Sequence, residues 1–228
     1  MRTLVYIDGF NLYYGCLKQN PKCRWLDVVK YVERLIHEVK PESDIVGVKY
    51  FSAPIIEKLS PKGDVSRRAL DTYLRALQQA YPDLQIVLGK YIDSPGEYYL
   101  DRKPIDFNQK ARVRRPEEKQ TDVSIGVHMI SDAYEGLCDQ LVLVSNDTDY
   151  VPVLSMLKNK SRLASLVVGL LPPLLSNKEF ELKRKPSTEL IKLSDWNRYP
   201  VERGILEDCQ LPPLVPTRKK PIRKPSHW

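Results

Sequence analysis

The sequence is short of the features that would place it outside a cell or within a membrane. Its 228 residues hold only four cysteines, at 16, 23, 138 and 209, and none forms a C-x-x-C pair. Such spacing matches no zinc site and points to reduced thiols rather than a disulfide framework. The longest apolar run, Leu166 to Leu171, stops at Pro172 and Pro173, far short of the roughly 20 residues that a membrane helix needs. Asp8 puts a carboxylate where an export signal needs an apolar core. These absences predict a cytoplasmic protein with no membrane partner. No G-x-G-x-x-G follows any apolar run, which argues against a dinucleotide-dependent oxidoreductase.

What is present suits one globular domain with appendages: 42% hydrophobic and 29% charged residues are too apolar a mixture for wholesale disorder. The net charge of +7 is unevenly placed. Pro212 to Trp228 carries five basic residues, five prolines and no acid, so the rest of the chain holds only +2. That composition predicts a flexible basic tail, over 201–228, able to track phosphates. A second basic cluster, Lys110, Arg112, Arg114 and Arg115, precedes a candidate helix at 121–135.

Short apolar runs alternate with helical spacing. Strands are expected at 4–7, 45–51, 84–88, 140–144 and 163–168, with a last one at 190–193. Helices are expected at 27–36, 65–81, 121–135, 150–159 and 177–184. The stretch 91–115 breaks this rhythm and reads as an inserted β-hairpin arm. Strand–helix alternation predicts an α/β fold, a three-layer α/β/α open and mainly parallel sheet, over 1–200. Ligands of such sheets bind at the carboxyl ends of strands, near a switch in strand order.

Two candidate strands end in acid there. Leu4 to Ile7 runs into Asp8-Gly-Phe-Asn11, and Leu141 to Val144 into Ser145-Asn146-Asp147-Thr-Asp149. Helix capping alone is the plainer alternative for Asp8 and Asp147. On a wheel of the 121–135 helix, however, Asp122 falls inside the apolar arc of Val123, Ile125, Gly126, Val127, Met129, Ile130, Ala133 and Tyr134. His128 falls on the opposite, polar side. Four converging carboxylates repel and raise one another's pKa unless a cation intervenes, and oxygen-only ligands favour Mg²⁺ or Mn²⁺. Asn11 and Asn146 add neutral groups to orient water or phosphate, and Lys119 stands ready to contact substrate phosphate. Tyr13, Tyr14, Tyr98 and Tyr99 offer stacking faces for bases.

The motifs Tyr6-Ile-Asp8-Gly-Phe-Asn11-Leu-Tyr13, Glu118-Lys-Gln-Thr-Asp122-Val and Leu143-Val-Ser-Asn-Asp147-Thr-Asp149-Tyr150-Val-Pro152 resemble those of the NYN family of PIN-like nucleases, in its LabA-like branch. The resemblance implies a PIN-like fold and a Mg²⁺- or Mn²⁺-dependent ribonuclease. It places metal ligands on Asp8, Asp122, Asp147 and Asp149, and a catalytic asparagine on Asn11. Substrate RNA, single-stranded or structured, would be gathered by Asn146, Lys119, Lys110, Arg112, Arg114 and Arg115. Two positions depart from the family: Asn146 where many members have glycine, and His128 where many have aspartate. The alternatives are a catalytically weak or inactive nucleic-acid-binding module of the same fold, and a phosphatase on a similar sheet. The D-x-D pair of haloacid-dehalogenase-like phosphatases is missing after the first strand, where Asp8-Gly-Phe10 stands. A homo-oligomer is compatible with either of the first two readings.

Overall fold

Six short strands hydrogen-bond side by side in the order β3-β2-β1-β6-β7-β8, all parallel. In the computed structural model, which describes residues 1–59, 63–104, 106–176 and 184–228, they are β1 (Arg2–Asp8), β2 (Asp44–Ser52), β3 (Gln85–Leu88), β6 (Gln140–Val144), β7 (Val167–Leu170) and β8 (Trp196–Asn197). β1 and β6 are buried almost throughout, because helices cover both sheet faces. On one side lie α1 (Gly9–Leu12), α2 (Val28–Val39) and α3 (Gly63–Ala80). On the other lie α4 (Thr121–Tyr134), α5 (Val151–Lys158) and α6 (Thr188–Leu193). The expected α/β class is borne out.

Strand order fixes where chemistry can sit. The chain builds β1, β2 and β3 outward in one direction, then returns to lay β6 on the free side of β1. The carboxyl ends of β1 and β6 therefore flank the switch point, where the following loops part and leave a crevice.

Between β3 and α4 the chain leaves the sheet as an antiparallel ribbon, β4 (Lys90–Tyr99) with β5 (Lys110–Lys119), paired from Lys90↔Lys119 to Tyr99↔Lys110. The expected arm is present and longer than 91–115 at both ends.

Several local expectations are corrected. Residues 161–163 form a 3₁₀ turn and the strand is Val167–Leu170; a continuous apolar run carries no periodicity with which to fix a boundary. Residues 190–193 belong to α6 rather than a strand, started by Ser187, whose hydroxyl accepts from the Leu190 amide at 3.3 Å. The helix expected at 177–184 falls mostly outside the described residues. The segment expected as a flexible basic tail is instead folded onto the body. α7 (Arg203–Asp208) and the two-residue strands β9 (Leu214–Val215) and β10 (Ile222–Arg223) fold back over α2 and α3. Trp228 packs edge-on against Trp25 and Tyr73, with ring centroids 6.3 and 5.6 Å apart. Pro212 accepts from the Trp25 indole at 2.9 Å. Composition misled here because one terminal aromatic and a few buried aliphatics suffice to hold a segment that is otherwise polar.

Candidate active site

Asp8 is the last residue of β1, and one of its carboxylate oxygens accepts from the Asn11 amide at 2.9 Å. This is the capping role open to any aspartate at a strand–helix junction. Its second oxygen does more, accepting from Ser145 Oγ at 3.0 Å and lying 3.3 Å from the Tyr150 hydroxyl. Gly9 follows because a Cβ there would stand 2.6 Å from the Phe51 carbonyl at the end of β2. Across the switch point, the Asn11 side-chain Oδ1 accepts from the Asn146 backbone amide at 3.1 Å. That bond ties the loop after β1 to the loop after β6.

Asp147 caps the turn leading into α5, accepting from the Asp149 amide at 3.1 Å. Asp122, in the first turn of α4, accepts from the Tyr150 hydroxyl at 2.7 Å. Tyr150 is wholly buried, so its one polar atom stands between Asp8 and Asp122. Asp8, Asp122 and Asp147 line a cleft of about 270 Å³, together with Asn11, Glu118, Phe10, Tyr14, Tyr91 and Arg184.

The electrostatics follow from that gathering. Burial pushes the Asp8 carboxyl up to about 6, against the pull of the Asn11, Ser145 and Tyr150 hydrogen bonds; the charge of Asp122 adds to the rise. Asp122 is also raised, first by burial and then by the charges of Glu118, Asp147 and Asp149, with Tyr150 opposing. Among the described residues no Lys or Arg forms an ion pair with Asp8, Asp122 or Asp147.

Donor type fits a hard divalent cation, and so does the excess of charge: four carboxylates line the cleft beside one guanidinium, Arg184. Among the described residues no three acidic, histidine or cysteine side chains already stand close enough to enclose an ion. Mg²⁺ in particular keeps several waters and takes only one or two carboxylates.

Other expected residues fall elsewhere. Asp149 is exposed and outside the cleft lining, its charge felt at Asp122. Asn146 uses both ends of its amide on the chain, donating to the Lys185 carbonyl at 3.1 Å and accepting from the Ser187 amide at 2.8 Å. Lys119 pairs with Glu117 at 2.7 Å. On the ribbon, paired residues share a face and alternate along each strand. Lys110, Arg112 and Arg114 therefore share the face that carries Tyr91 and Glu118 into the cleft, while Arg115 lies on the reverse.

Two features were missed from sequence. Glu118 lines the cleft, held by the Thr121 amide at 3.0 Å and by the Thr121 hydroxyl; its signal was a carboxylate three residues before a helix that carries another. The buried face of α4 is turned toward His128 relative to the hydropathy wheel. Val123 and Val127 are 72% and 60% exposed, whereas Asp132 is buried and His128, expected on the surface, is half-buried. Asp132 accepts from Tyr6 and Lys49, each at 2.5 Å, and His128 Nδ1 lies 3.3 Å from Lys49 Nζ. A buried charge with partners overrides the apolar count.

The NYN domain family pattern matches residues 2–185. The chain belongs to the NYN domain family. With that membership comes the PIN-like nuclease fold, in keeping with the parallel sheet and its acidic switch point. This NYN chain is also 32% identical, over its whole length, to the 6-hydroxy-3-succinoylpyridine 3-monooxygenase HspA of Pseudomonas putida, 75% of which it covers. A crystal structure of a protein of unknown function from Vibrio parahaemolyticus is 18% identical, with a TM-score of 0.43 over 89% of this chain and 92% of that one. None of the described helices is long and apolar enough to cross a membrane.

Proposed function

We propose that this NYN protein is a Mg²⁺- or Mn²⁺-dependent ribonuclease that hydrolyses RNA phosphodiester bonds. The observation that carries the reading is the acidic switch-point cleft, free of any ion-paired cation among the described residues and continuous with the basic face of the arm. Asp8, Asp122 and Asp147 would hold a divalent ion, with Glu118 as a fourth carboxylate in reach of its water shell. Such an ion, when bound, supplies a Lewis acid that activates water for in-line attack on phosphorus.

The chain's own residues do the rest. Asn11 fixes the two loops so that Asp8 and Asp147 face the same space. Tyr150 and Ser145 hold Asp8 ionised against its burial. Tyr91, Tyr14 and Phe10 give the cleft stacking faces. Lys110, Arg112 and Arg114 bind the backbone of the strand as it leaves the cleft. The test is cleavage of mixed RNA with Mg²⁺ or Mn²⁺, beside Asp8→Asn and Asp147→Asn. Loss of at least 100-fold in both variants is the expected result. RNA bound by the wild type without any product would leave a binding module instead.

A second reading has its own observation. The similarity, over this chain's whole length, to a 6-hydroxy-3-succinoylpyridine 3-monooxygenase, with three aromatic residues around a 270 Å³ cleft, favours an aromatic heterocycle as ligand. Incubation with 6-hydroxy-3-succinoylpyridine, oxygen and a two-electron reductant decides it: a hydroxylated product, with RNA left intact, would replace the nuclease reading.

A further inference from the structure

The basic tail, once folded, builds a groove that the acidic cleft does not explain. Between α3 and the C-terminal segment lies an open cavity of about 730 Å³, larger than the cleft itself. One wall is the face of α3 carrying Thr72, Arg75, Gln78 and Gln79, which recur at helical spacing. The other is the turn and strand holding Thr217, Lys220 and Arg223. Three cations line it and no carboxylate does. Among the described residues none of the three takes part in an ion pair. The wall is built rather than trailing. β10 pairs with β9, Lys224 donates its amide to Pro213 at 2.9 Å, the Thr217 hydroxyl donates to Lys220 at 2.9 Å, and Trp228 anchors the end.

The tail carries five of the chain's seven surplus positive charges, and two of them, Lys220 and Arg223, line this groove opposite Arg75. The amide and hydroxyl groups beside them suit phosphate oxygens and sugar hydroxyls. We infer that this groove is a second nucleic-acid site, which grips the phosphodiester backbone of a single-stranded RNA away from the cleft. The choice of RNA over other phosphate polymers rests on the ribonuclease reading; the groove and its charge do not. α3 runs back from the cleft end of the sheet, and Arg75 lies 12 residues from its start, about 18 Å along the axis. A strand that fills both sites must therefore be long, so the groove discriminates by length.

The test uses the full chain carrying Arg75→Gln, Lys220→Gln and Arg223→Gln together, with its melting curve as a control for folding. Binding of a fluorescein-labelled 20-nucleotide poly(U) is followed by anisotropy without divalent ions, and binding to phosphatidylserine-containing vesicles by sedimentation. The expected result is an affinity for the 20-mer lower by at least tenfold. The slope of log K against log salt should shrink by about 2, since each single-strand phosphate contact contributes about 0.7. A 4-mer, which offers the groove fewer phosphates, should lose less affinity than the 20-mer. Unchanged 20-mer binding would overturn the proposal, as would a loss confined to the vesicles. The nuclease reading is judged separately, by product formation from wild type. A chain that cuts nothing yet loses 20-mer binding in the variant keeps the groove and loses the catalytic assignment.

Discussion

Tyr150 donates its hydroxyl to Asp122 Oδ1 at 2.7 Å, and this places a neutral donor directly behind an acidic cleft. The same oxygen lies 3.3 Å from Asp8. Two carboxylates from strand and helix segments 114 positions apart are thus held to one point by a side chain from a third segment. Tyr150→Phe keeps the ring and removes only that point. Residues that orient metal-binding carboxylates from behind typically cost 10–100-fold in metal affinity or activity when lost. Mn²⁺ affinity measured by titration calorimetry should fall within that range, with the melting temperature lowered as well. An unchanged affinity would reduce Tyr150 to packing.

Asp8 predicts a pH dependence of stability with a definite sign. Its carboxyl is raised from 3.8 to about 6 in the fold, so between those values the folded protein binds more protons than the unfolded chain. Stability contributed by this group therefore falls as pH rises through that window, by about 3 kcal/mol at 1.36 kcal/mol per unit. Asparagine caps as well as aspartate. Asparagine Nδ2 cannot accept from Ser145 and Tyr150 as Asp8 Oδ2 does, so the readout is the pH slope: without metal, the stability of Asp8→Asn relative to wild type should rise by about 2–3 kcal/mol from pH 4 to pH 7 in urea melts. Added Mg²⁺ should offset that rise at pH 7, because an ion that binds only the folded state stabilises it. A stability difference between the two that stays constant from pH 4 to pH 7 without metal would contradict the buried-charge account.

How much of this was legible in sequence depends on what each segment buries. β1 and β6 could be read closely, because both are fully covered and each ends abruptly in Asp8 or in Ser145-Asn146-Asp147. Asp122 could be placed inward, since the apolar residues 125, 129 and 133 surround it on the wheel. His128 and Asp132 could not, because their inward placement depends on Lys49 and Tyr6, which are distant in sequence. Glu118 was hidden for a similar reason: its face is set by pairing with Tyr91 across the ribbon. The tail's docking was hidden by its prolines and charges, which outnumber the few residues that hold it.

The ribbon offers an internal control for RNA binding. Arg114 and Arg115 are neighbours in sequence and lie on opposite faces. Arg112→Ala with Arg114→Ala should weaken binding of a labelled 20-mer and reduce its salt slope by about 1.4, two single-strand contacts' worth. Arg115→Ala should leave both unchanged. The Arg114–Asp93 pair, at 2.9 Å, is exposed, so its loss should alter the melting temperature little. Equal effects from Arg114→Ala and Arg115→Ala would mean that the ribbon acts by charge alone, with no preferred face.

Trp228, the final residue, decides whether the C-terminal segment belongs to the folded body. Its ring sits 5.6 Å from Tyr73 on α3 and 6.3 Å from Trp25, whose own indole is bonded to Pro212. Removing a fully buried Trp side chain costs about 3–5 kcal/mol; Trp228 is only half-buried, so Trp228→Ala should cost about 2 kcal/mol. In a domain of this size each kcal/mol shifts Tm by about 2–4 °C, which gives a fall of about 4–8 °C by calorimetry. The loosened segment carries Lys220 and Arg223 with it, so long-RNA affinity should fall alongside, while the pH dependence set by Asp8 should persist. If Trp228→Ala melts as the wild type does, the tail contributes no stability to the domain and the groove it forms with α3 lacks a fixed wall.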